Sequence, residues 1–597
     1  MSESISNERL SKRNLWGYSM GGIGRDMAYQ LVNTYLLTFI TFTKGLSNTE
    51  FAMVGVIMVI CRIFDGCNDP FMGSLIEITR TKIGKFKPWI LAGVFTNVAV
   101  IIALFCVPLR GTSYLIFFAF GYLLWGMTYT MNDISYWGMM PSLTSNPGDR
   151  NNLTTLANIG AGVGAGLSVL AIPSLTQGNL AIASNASKSY AIVSIIVCIV
   201  FFVCQIMTVF VVKEKPLPKV RVDDGEKRSL KEMFRVIFKN DQLKPVMAAM
   251  LLYSIGSGIT MALASYWIYY RFAYQGLLVT LFTVISGIST VVIVFFPILC
   301  KKHSRRWISK LSMIMIIVGY LLMFIISLAT GADPKADKVG FNVGEVFIPV
   351  TFIFTGLSGA CAFFGQTLFY QVLTISVANT VEYNEYTTGT RDEGVIFACR
   401  PFTTKLGSAA VVGITTLVVL ALGLNPTNKA ISNADYEAGQ LAIQVEQLVK
   451  DETPNFDSLS KEEQTKLIEA KKKSIETENV AKIEDIIHTN EDTKVAKWQY
   501  QTMFAFMTLL PLLILLGSFA IYFKKYNISE ERYDEICAEI ARRKLAAEGN
   551  AEVVLDGADV NELENDLASS DAETPDEIFE QKAAADKISE APDEVEK

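Results

Sequence analysis

Histidine is scarce in this chain of 597 residues: the sequence has only two, His303 and His488, and both fall in predicted loops. This scarcity argues against a buried histidine–metal centre. The nine cysteines lie mostly inside apolar runs without paired spacing, so we interpret them as small core residues rather than disulfides or metal ligands. The polar N-terminus lacks a cleavable signal pattern. With no metal or nucleophile constellation, we expect neither an enzyme nor a bound cofactor.

Charge is also sparse, whereas apolar residues are abundant. Only 19% of the residues are charged, 51% are hydrophobic, and there are 36 Phe and 22 Tyr. Apolar runs recur from near the N-terminus to about residue 523, each long enough to cross ~30 Å of hydrocarbon as a helix. The net charge of −6 derives mostly from the C-terminal tail and says little about a substrate. The composition therefore predicts a polytopic membrane protein.

Twelve segments are predicted to span the membrane, which makes the fold class an all-α membrane protein. Basic loops follow even-numbered spans, at 80–87, 213–244 and 301–310. Because Lys and Arg mark cytoplasmic loops, both termini are expected in the cytoplasm. The expected bounds are 16–42, 48–76, 88–108, 114–140, 152–174, 189–212, 245–271, 277–299, 308–329, 346–376, 395–424 and 499–523.

The spacing of the loops indicates two halves. The basic loops after spans two and eight lie six spans apart, and a long link follows span six, as in a transporter built from two six-helix repeats. A twelve-helix membrane enzyme is the alternative. We predict a cytoplasmic N-terminus (1–15), an N-terminal six-helix bundle (16–212), a cytoplasmic linker (213–244), a C-terminal bundle (245–523) with an external insertion (425–498), a cytoplasmic tail helix (524–547) and an acidic disordered tail (548–597).

Ionisable residues inside the predicted spans are the main functional signal. A charge at a lipid-facing helix centre costs roughly 2.5–3.5 kcal/mol, so these side chains must face one another or water. Paired charges that hold helices together are the structural alternative, and it suits so large a set less well. The residues are Arg25 and Asp26 in span one, Arg62, Asp65 and Asp69 in span two, Asp133 in span four, and Arg400 and Lys405 in span eleven.

The charges of span two lie within the stretch RIFDGCNDP (62–70). Arg62, Asp65 and Asp69 are spaced i, i+3 and i+7, so they share one helical face. Two carboxylates one turn apart repel each other unless a cation or a proton intervenes. Asn68 adds a neutral oxygen beside them. The pattern predicts a sodium site or a proton-binding pair.

Span four places Tyr129, Asp133, Tyr136 and Trp137 within two turns. A carboxylate accepts hydrogen bonds from sugar hydroxyls, and an aromatic ring can cover the apolar face of a pyranose. This combination favours a sugar site. The alternative is that Tyr136 and Trp137 are aromatic anchors at the membrane interface.

These segments resemble the glycoside–pentoside–hexuronide (GPH) cation symporters, a family of the major facilitator superfamily (MFS) that includes the melibiose permeases. The resemblance covers spans one to twelve in order. It implies an MFS fold, a location in the plasma membrane of a bacterium, and cation-coupled sugar import by alternating access. It is carried by IGRDMA (23–28), RIFDGCNDP with FMGSLIEITRTKIGKFKPWIL (62–91), LWGMTYTMNDISYW (124–137) and YTTGTRDEGVIFACRPFTTKLGSA (386–409).

The resemblance also implies roles for individual residues. The cation ligands are expected to be Asp65, Asn68, Asp69 and Thr130, with Na⁺ or H⁺ as the co-transported ion. The sugar-binding residues are expected to be Arg25, Asp26, Tyr129, Asp133 and Trp137. Lys405 corresponds to a lysine beside the cation site and Arg62 to a cavity arginine, so both are assigned to a coupling or charge network.

This chain departs from the melibiose permeases at two places. Their sugar-site arginine on helix five is replaced by Asn158, and their neutral residues on helix eleven are replaced by Arg400 and Pro401. Arg400 either binds a uronate carboxylate or restores the charge lost at position 158, and we favour the second interpretation. Pro401 is expected to break or kink the helix.

The substrate class stays open at this point between a glycoside, an oligosaccharide, a pentoside and a hexuronide. A lysolipid symporter of the related branch and a membrane sugar sensor derived from a transporter are the alternatives. In the external insertion, a capping box at Ser460–Glu463 predicts the start of one helix, and two or more helices are expected to cover the outer mouth.

Overall fold

The computed structural model describes residues 10–144, 147–178, 180–213, 239–272, 274–329, 339–343, 346–390 and 393–553. The fold is almost entirely helical in these ranges. Most of the predicted linker and acidic tail, and residues 1–9, lie outside them. The helices are α1 Lys12–Thr43, α2 Asn48–Ile78, α3 Lys87–Cys106, α4 Gly111–Met139, α5 Pro147–Thr176, α6 Ala186–Val211, α7 Leu243–Arg271, α8 Gly276–Ile288, α9 Val292–Lys302, α10 Arg305–Ala329, α11 Val350–Thr388, α12 Glu393–Ala421, α13 Asn425–Ile443, α14 Val445–Glu452, α15 Lys461–His488, α16 Lys497–Lys525 and α17 Glu530–Val553.

Each predicted span has a helical counterpart, and three details of the structure differ from the prediction. The eighth span is interrupted, because a 3₁₀ turn at Ser289–Val291 separates α8 from α9. The tenth begins later than expected, since Val346–Pro349 pairs with Gly340–Val343 as an antiparallel hairpin before α11 starts, and it also continues further, to Thr388. His488 is the last residue of α15 rather than a loop residue.

Nine helices in the described ranges are long and apolar enough to cross a membrane. The counterparts of the other three predicted spans are α1, α2 and the α8–α9 pair. Helices α1 and α2 carry several charged residues of the predicted site, and the eighth span is divided into two short helices. The twelve-span topology, its division into halves and the cytoplasmic termini remain predictions.

Glycines allow α1 and α5 to approach closely. A methyl group at Gly160 would lie 2.4 Å from the carbonyl oxygen of Ser19, and one at Gly164 would lie 2.0 Å from that of Ile23. Small residues at such positions are how membrane helices bring their backbones into contact. The contact fixes the part of α1 that carries Arg25.

Helix α12 continues through Pro401 as one helix, so the predicted break does not occur. Proline removes a backbone donor from the helix, and hydroxyl side chains can satisfy the carbonyls nearby. Thr403 donates to the carbonyls of Cys399 at 3.0 Å and Arg400 at 2.8 Å, and Thr404 donates to Arg400 at 3.1 Å.

The insertion that is predicted to be external contains α13, α14 and α15. The predicted capping box is confirmed: Ser460 and Glu463 each accept the other's backbone N–H at the start of α15. The three helices share an apolar core that includes Val449, Phe456 and Ile475. They lie at the end of the bundle where α1 ends and α2 begins, which we call the outer end. Helix α17 continues into a separate compact unit that begins at Asp534.

Candidate cation and sugar site

A lysine occupies the space between the two carboxylates of α2. The Lys405 ammonium on α12 lies 2.6 Å from Asp69 Oδ2 and 3.1 Å from Asp65 Oδ2. The three side chains retain between 12% and 32% exposure, so they are largely but not completely withdrawn from water. We call this group the α2–α12 charge cluster. It joins the N-terminal helices to the C-terminal helices through ionic contacts.

The predicted cation ligands are brought together in part. The hydroxyl of Thr130 on α4 donates to Asp65 Oδ1 at 2.7 Å and lies 3.4 Å from Asp69 Oδ1. Asn68 is buried on α2, and its Nδ2 has no hydrogen-bond partner among the described residues. Asp65, Asp69 and Thr130 therefore surround one point, which Lys405 shares with them.

A second cluster forms around Arg25 on α1. Its guanidinium contacts Asp26 at 2.5 Å and Asp133 of α4 at 3.2 Å. The same group lies over the rings of Tyr136, at 4.6 Å, and Trp137, at 4.8 Å. Arg25 is 3% exposed, whereas Asp26 and Asp133 retain 22% and 35%. We call this the α1–α4 charge cluster, and its carboxylates remain accessible to a ligand.

The aromatic residues of α4 divide into two groups. Tyr136 is fully buried and stacks on Tyr18 of α1 at 4.4 Å, and each hydroxyl donates to the other residue's carbonyl oxygen. Tyr136 is therefore a packing residue, and neither the sugar-site nor the interfacial interpretation holds for it. Tyr129 packs near Tyr29, and Trp137 stays half-buried beside Arg25.

The other two arginines contact neutral oxygens. Arg62 on α2 donates to the side-chain oxygen of Asn33 on α1 and lies 5.4 Å from the Trp125 ring. Arg400 on α12 donates to the hydroxyl of Tyr370 on α11, at 2.8 and 3.2 Å. Asn158 is exposed on α5.

A cavity of about 380 Å³ lies between α1 and the C-terminal helices α7, α8, α11 and α12. Its lining includes the partners of both arginines, Asn33 and Tyr370. None of the twelve predicted site residues lines it. Hydroxyl-bearing and other polar residues are frequent in the wall, among them Thr34, Tyr253, Ser254, Ser257, Ser265, Thr404 and Ser408.

The residues that line this cavity were not predicted from the sequence, because its polar residues are uncharged and are common in any membrane helix. Asn33 carries a weak signal: it follows Asp26 by seven residues, which places both on one face of α1. Tyr253 and Tyr370 stack at 5.4 Å although they are separated by more than a hundred residues in the chain. No local pattern in the sequence indicates that contact.

Comparison with known proteins decides the family. A model of the MFS/sugar transport protein family matches residues 17–443. The chain belongs to this family. The match confirms the resemblance to the GPH symporters, and members of the family are multi-pass membrane transporters rather than enzymes.

Two curated relatives are similar to this chain over about 70% of its length. The raffinose carrier protein of Pediococcus pentosaceus is 26% identical over 437 residues, which are 71% of this chain and 64% of the relative. The lactose permease of Lactobacillus delbrueckii subsp. bulgaricus is 28% identical over 440 residues, 72% of this chain and 66% of the relative. This chain therefore spans slightly less than two thirds of their length.

Two further comparisons extend this picture. The isoprimeverose transporter of Lactiplantibacillus pentosus is 25% identical over 414 residues, which are 68% of this chain and 80% of the relative. The crystal structure of the nucleoside transporter NupG is 13% identical with a TM-score of 0.50, and the alignment covers 85% of this chain and 99% of NupG. That likeness concerns the fold alone and agrees with the predicted MFS fold.

Proposed function

We propose that this protein imports a sugar together with a monovalent cation. The observation that carries the proposal is the position of the Lys405 ammonium between Asp65 and Asp69. Two carboxylates already hold one positive charge there, and the Thr130 hydroxyl contacts both carboxylates. A sodium ion takes oxygen ligands of this kind, and it would take the place of the ammonium.

Helix α4 supplies a physical link between the cation and the sugar. Thr130 contacts the α2–α12 charge cluster, and Asp133, three residues later on the same face, belongs to the α1–α4 charge cluster. A cation that repositions Thr130 therefore also shifts Asp133. Cation and sugar affinities are then coupled, and the coupling must be reciprocal.

Sodium is the favoured ion because the cluster contains a hydroxyl oxygen in addition to the two carboxylates. A proton needs one carboxylate, whereas Na⁺ also uses neutral oxygens such as the Thr130 hydroxyl. Each positive charge moved inward gains about 2.3 kcal/mol per 100 mV of membrane potential. Since 1.4 kcal/mol corresponds to tenfold, that alone supports roughly fifty-fold accumulation of the sugar.

For the sugar itself we propose a neutral glycoside or oligosaccharide. Asp26 and Asp133 accept hydrogen bonds from hydroxyls, and the cavity wall is rich in uncharged polar groups. We keep the interpretation that Arg400 replaces the charge lost at position 158 rather than binding a uronate; its guanidinium donates to the Tyr370 hydroxyl, which lines the cavity. Relatives named for raffinose, lactose and isoprimeverose point the same way.

The test is uptake into right-side-out membrane vesicles, with and without an inward Na⁺ gradient. The sugars are raffinose, lactose, methyl β-glucoside, a pentoside and a glucuronide. We expect Na⁺-dependent accumulation of a neutral sugar, its loss in Asp69→Cys and its persistence in Asp457→Cys, a control at an exposed carboxylate. Uptake that follows a pH gradient and ignores Na⁺ would make the proton the coupling ion. No accumulation of any sugar under either gradient would contradict the proposal.

A further inference from the structure

The external insertion connects the two sets of helices at the outer end. Asn425 donates to the Leu46 carbonyl between α1 and α2 at 3.1 Å, and Arg110 donates to the Ser432 hydroxyl at 2.8 Å. On the other side, the Tyr270 hydroxyl of α7 donates to Asn428 at 2.5 Å. Helix α13 thus contacts both the N-terminal and the C-terminal helices.

A pocket of about 330 Å³ lies where the N-terminal helices, the C-terminal helices and the insertion meet. Gln177 and Asn185 from the α5–α6 connection form one wall, Tyr274 after α7 forms another, and Asn479 of α15 comes from the insertion. The volume is at the lower end of the range for small-molecule sites. A ligand here would contact all three parts at once.

Two buried amide groups in this pocket have unused acceptors. Gln177 is 1% exposed; its Nε2 donates to the Tyr274 hydroxyl at 3.0 Å, but its Oε1 has no partner among the described residues. Asn479 is 9% exposed, and its Oδ1 is likewise without a partner. Buried polar atoms are nearly always hydrogen-bonded, so two such acceptors in one pocket indicate a missing donor.

The remaining polar groups of the pocket indicate which kind of ligand could donate hydrogen bonds to the two amide oxygens. Glu476, Glu484 and Asp435 add carboxyl groups, and Lys473 adds one ammonium. The described residues contain no group of three or more His, Cys, Asp or Glu side chains that could hold a metal ion. A neutral molecule with several hydroxyl donors satisfies both amides and the carboxylates, and the side chains of Val480 and Ile483 offer apolar contact.

We propose that this pocket is a second sugar site, separate from the α1–α4 charge cluster. The choice of sugar as the ligand rests on the proposed function. Because the walls belong to both sets of helices and to the insertion, a sugar bound here stabilises the contacts that join them at the outer end. High external sugar concentrations therefore slow the carrier through this site.

The experiment is calorimetric titration of the full-length protein in lipid nanodiscs with raffinose, lactose and methyl β-glucoside. We expect two binding classes for the sugar that is transported. Gln177→Met combined with Asn479→Leu removes both amides with little change in volume. This double variant should lose one class, or bind it at least about tenfold more weakly, and keep the class that Asp133→Asn removes.

Controls make the result specific. Gln440→Met replaces an exposed amide of α13 and should bind sugar in both classes. Retention of the class that depends on Asp133 shows that the double variant is folded. A single class in the wild type, or two unchanged classes in the double variant, would overturn the second site while leaving the proposed function intact. Absence of both uptake and binding would instead overturn the proposed function.

Discussion

Replacement of Lys405 by alanine tests whether the lysine competes with the cation. The substitution leaves Asp65 and Asp69 without their shared ammonium. Removing one partner of a buried ion pair costs about 3–5 kcal/mol, and the partial exposure of these groups favours the lower end. At roughly 2 °C per kcal/mol, a loss of about 3 kcal/mol lowers the unfolding temperature by about 6 °C.

Sodium should reverse most of this loss. A ligand at 100 times its Kd stabilises a protein by about 2.7 kcal/mol, which nearly equals the deficit. In the wild type the same ion must displace the ammonium, so its stabilising effect is smaller. We therefore expect Lys405→Ala to be less stable than the wild type in choline chloride and nearly as stable in NaCl.

The assay is thermal unfolding of purified protein across a NaCl titration at constant ionic strength. Lys466→Ala is the matched control, because that lysine is 71% exposed and makes only an i,i+4 pair with Glu462. It should follow the wild type. Equal Na⁺ stabilisation of the wild type and Lys405→Ala, or no Na⁺ effect on the variant, would refute the idea that both cations share one position.

Three further expectations concern other parts of the chain. Burial raises the pKa of the Asp435 carboxyl from 3.8 to about 6. The folded protein therefore holds this proton more tightly than the unfolded chain does, and the resulting stability is complete below pH 3.8 and is lost as the pH rises through about 6. Between about pH 4 and pH 7 the free energy of unfolding should fall by roughly 3 kcal/mol relative to Asp435→Asn. Arg400→Gln and Tyr370→Phe each remove a charge-assisted hydrogen bond worth about 1.5–3 kcal/mol and should lower initial uptake of the neutral sugar at least about tenfold; selective loss of glucuronide uptake in Arg400→Gln would instead favour uronate binding. Gly164→Ala should lower the unfolding temperature because its methyl group meets the α1 backbone, whereas Gly162→Ala, which meets nothing within 4 Å, should not; equal effects would contradict the close packing.

The sequence predicted well that the charges inside the apolar spans pair with one another, because such charges have few alternatives to pairing. Arg25, Asp26 and Asp133 meet as one cluster, and Lys405 meets Asp65 and Asp69 as another. Each cluster combines residues that lie far apart in the chain but carry a strong individual signal.

Features that depend on packing were harder to predict. Tyr136 is a residue type that is common in sugar sites and lies beside Asp133 and Trp137 in the sequence, yet its stacking on Tyr18 buries it completely. Helix α12 tolerates Pro401, and neighbouring threonine hydroxyls contact the carbonyls there. The 3₁₀ turn at Ser289–Val291 contains no proline or glycine from which the interruption of the helix could be predicted. These outcomes are set by tertiary neighbours, which a single sequence does not reveal.

The close contact between α1 and α5 has a consequence for how the substrate range can evolve. At Gly160 and Gly164 the two backbones touch, so new side chains cannot be introduced on that side without moving the helices. The residues at this contact do not line the 380 Å³ cavity, whose wall on α7, α11 and α12 consists of side chains such as Ser254, Tyr370 and Ser408 that can be exchanged one at a time. Adaptation to a new sugar is therefore expected to accumulate among the side chains that line the cavity, while the glycines of the α1–α5 contact stay fixed.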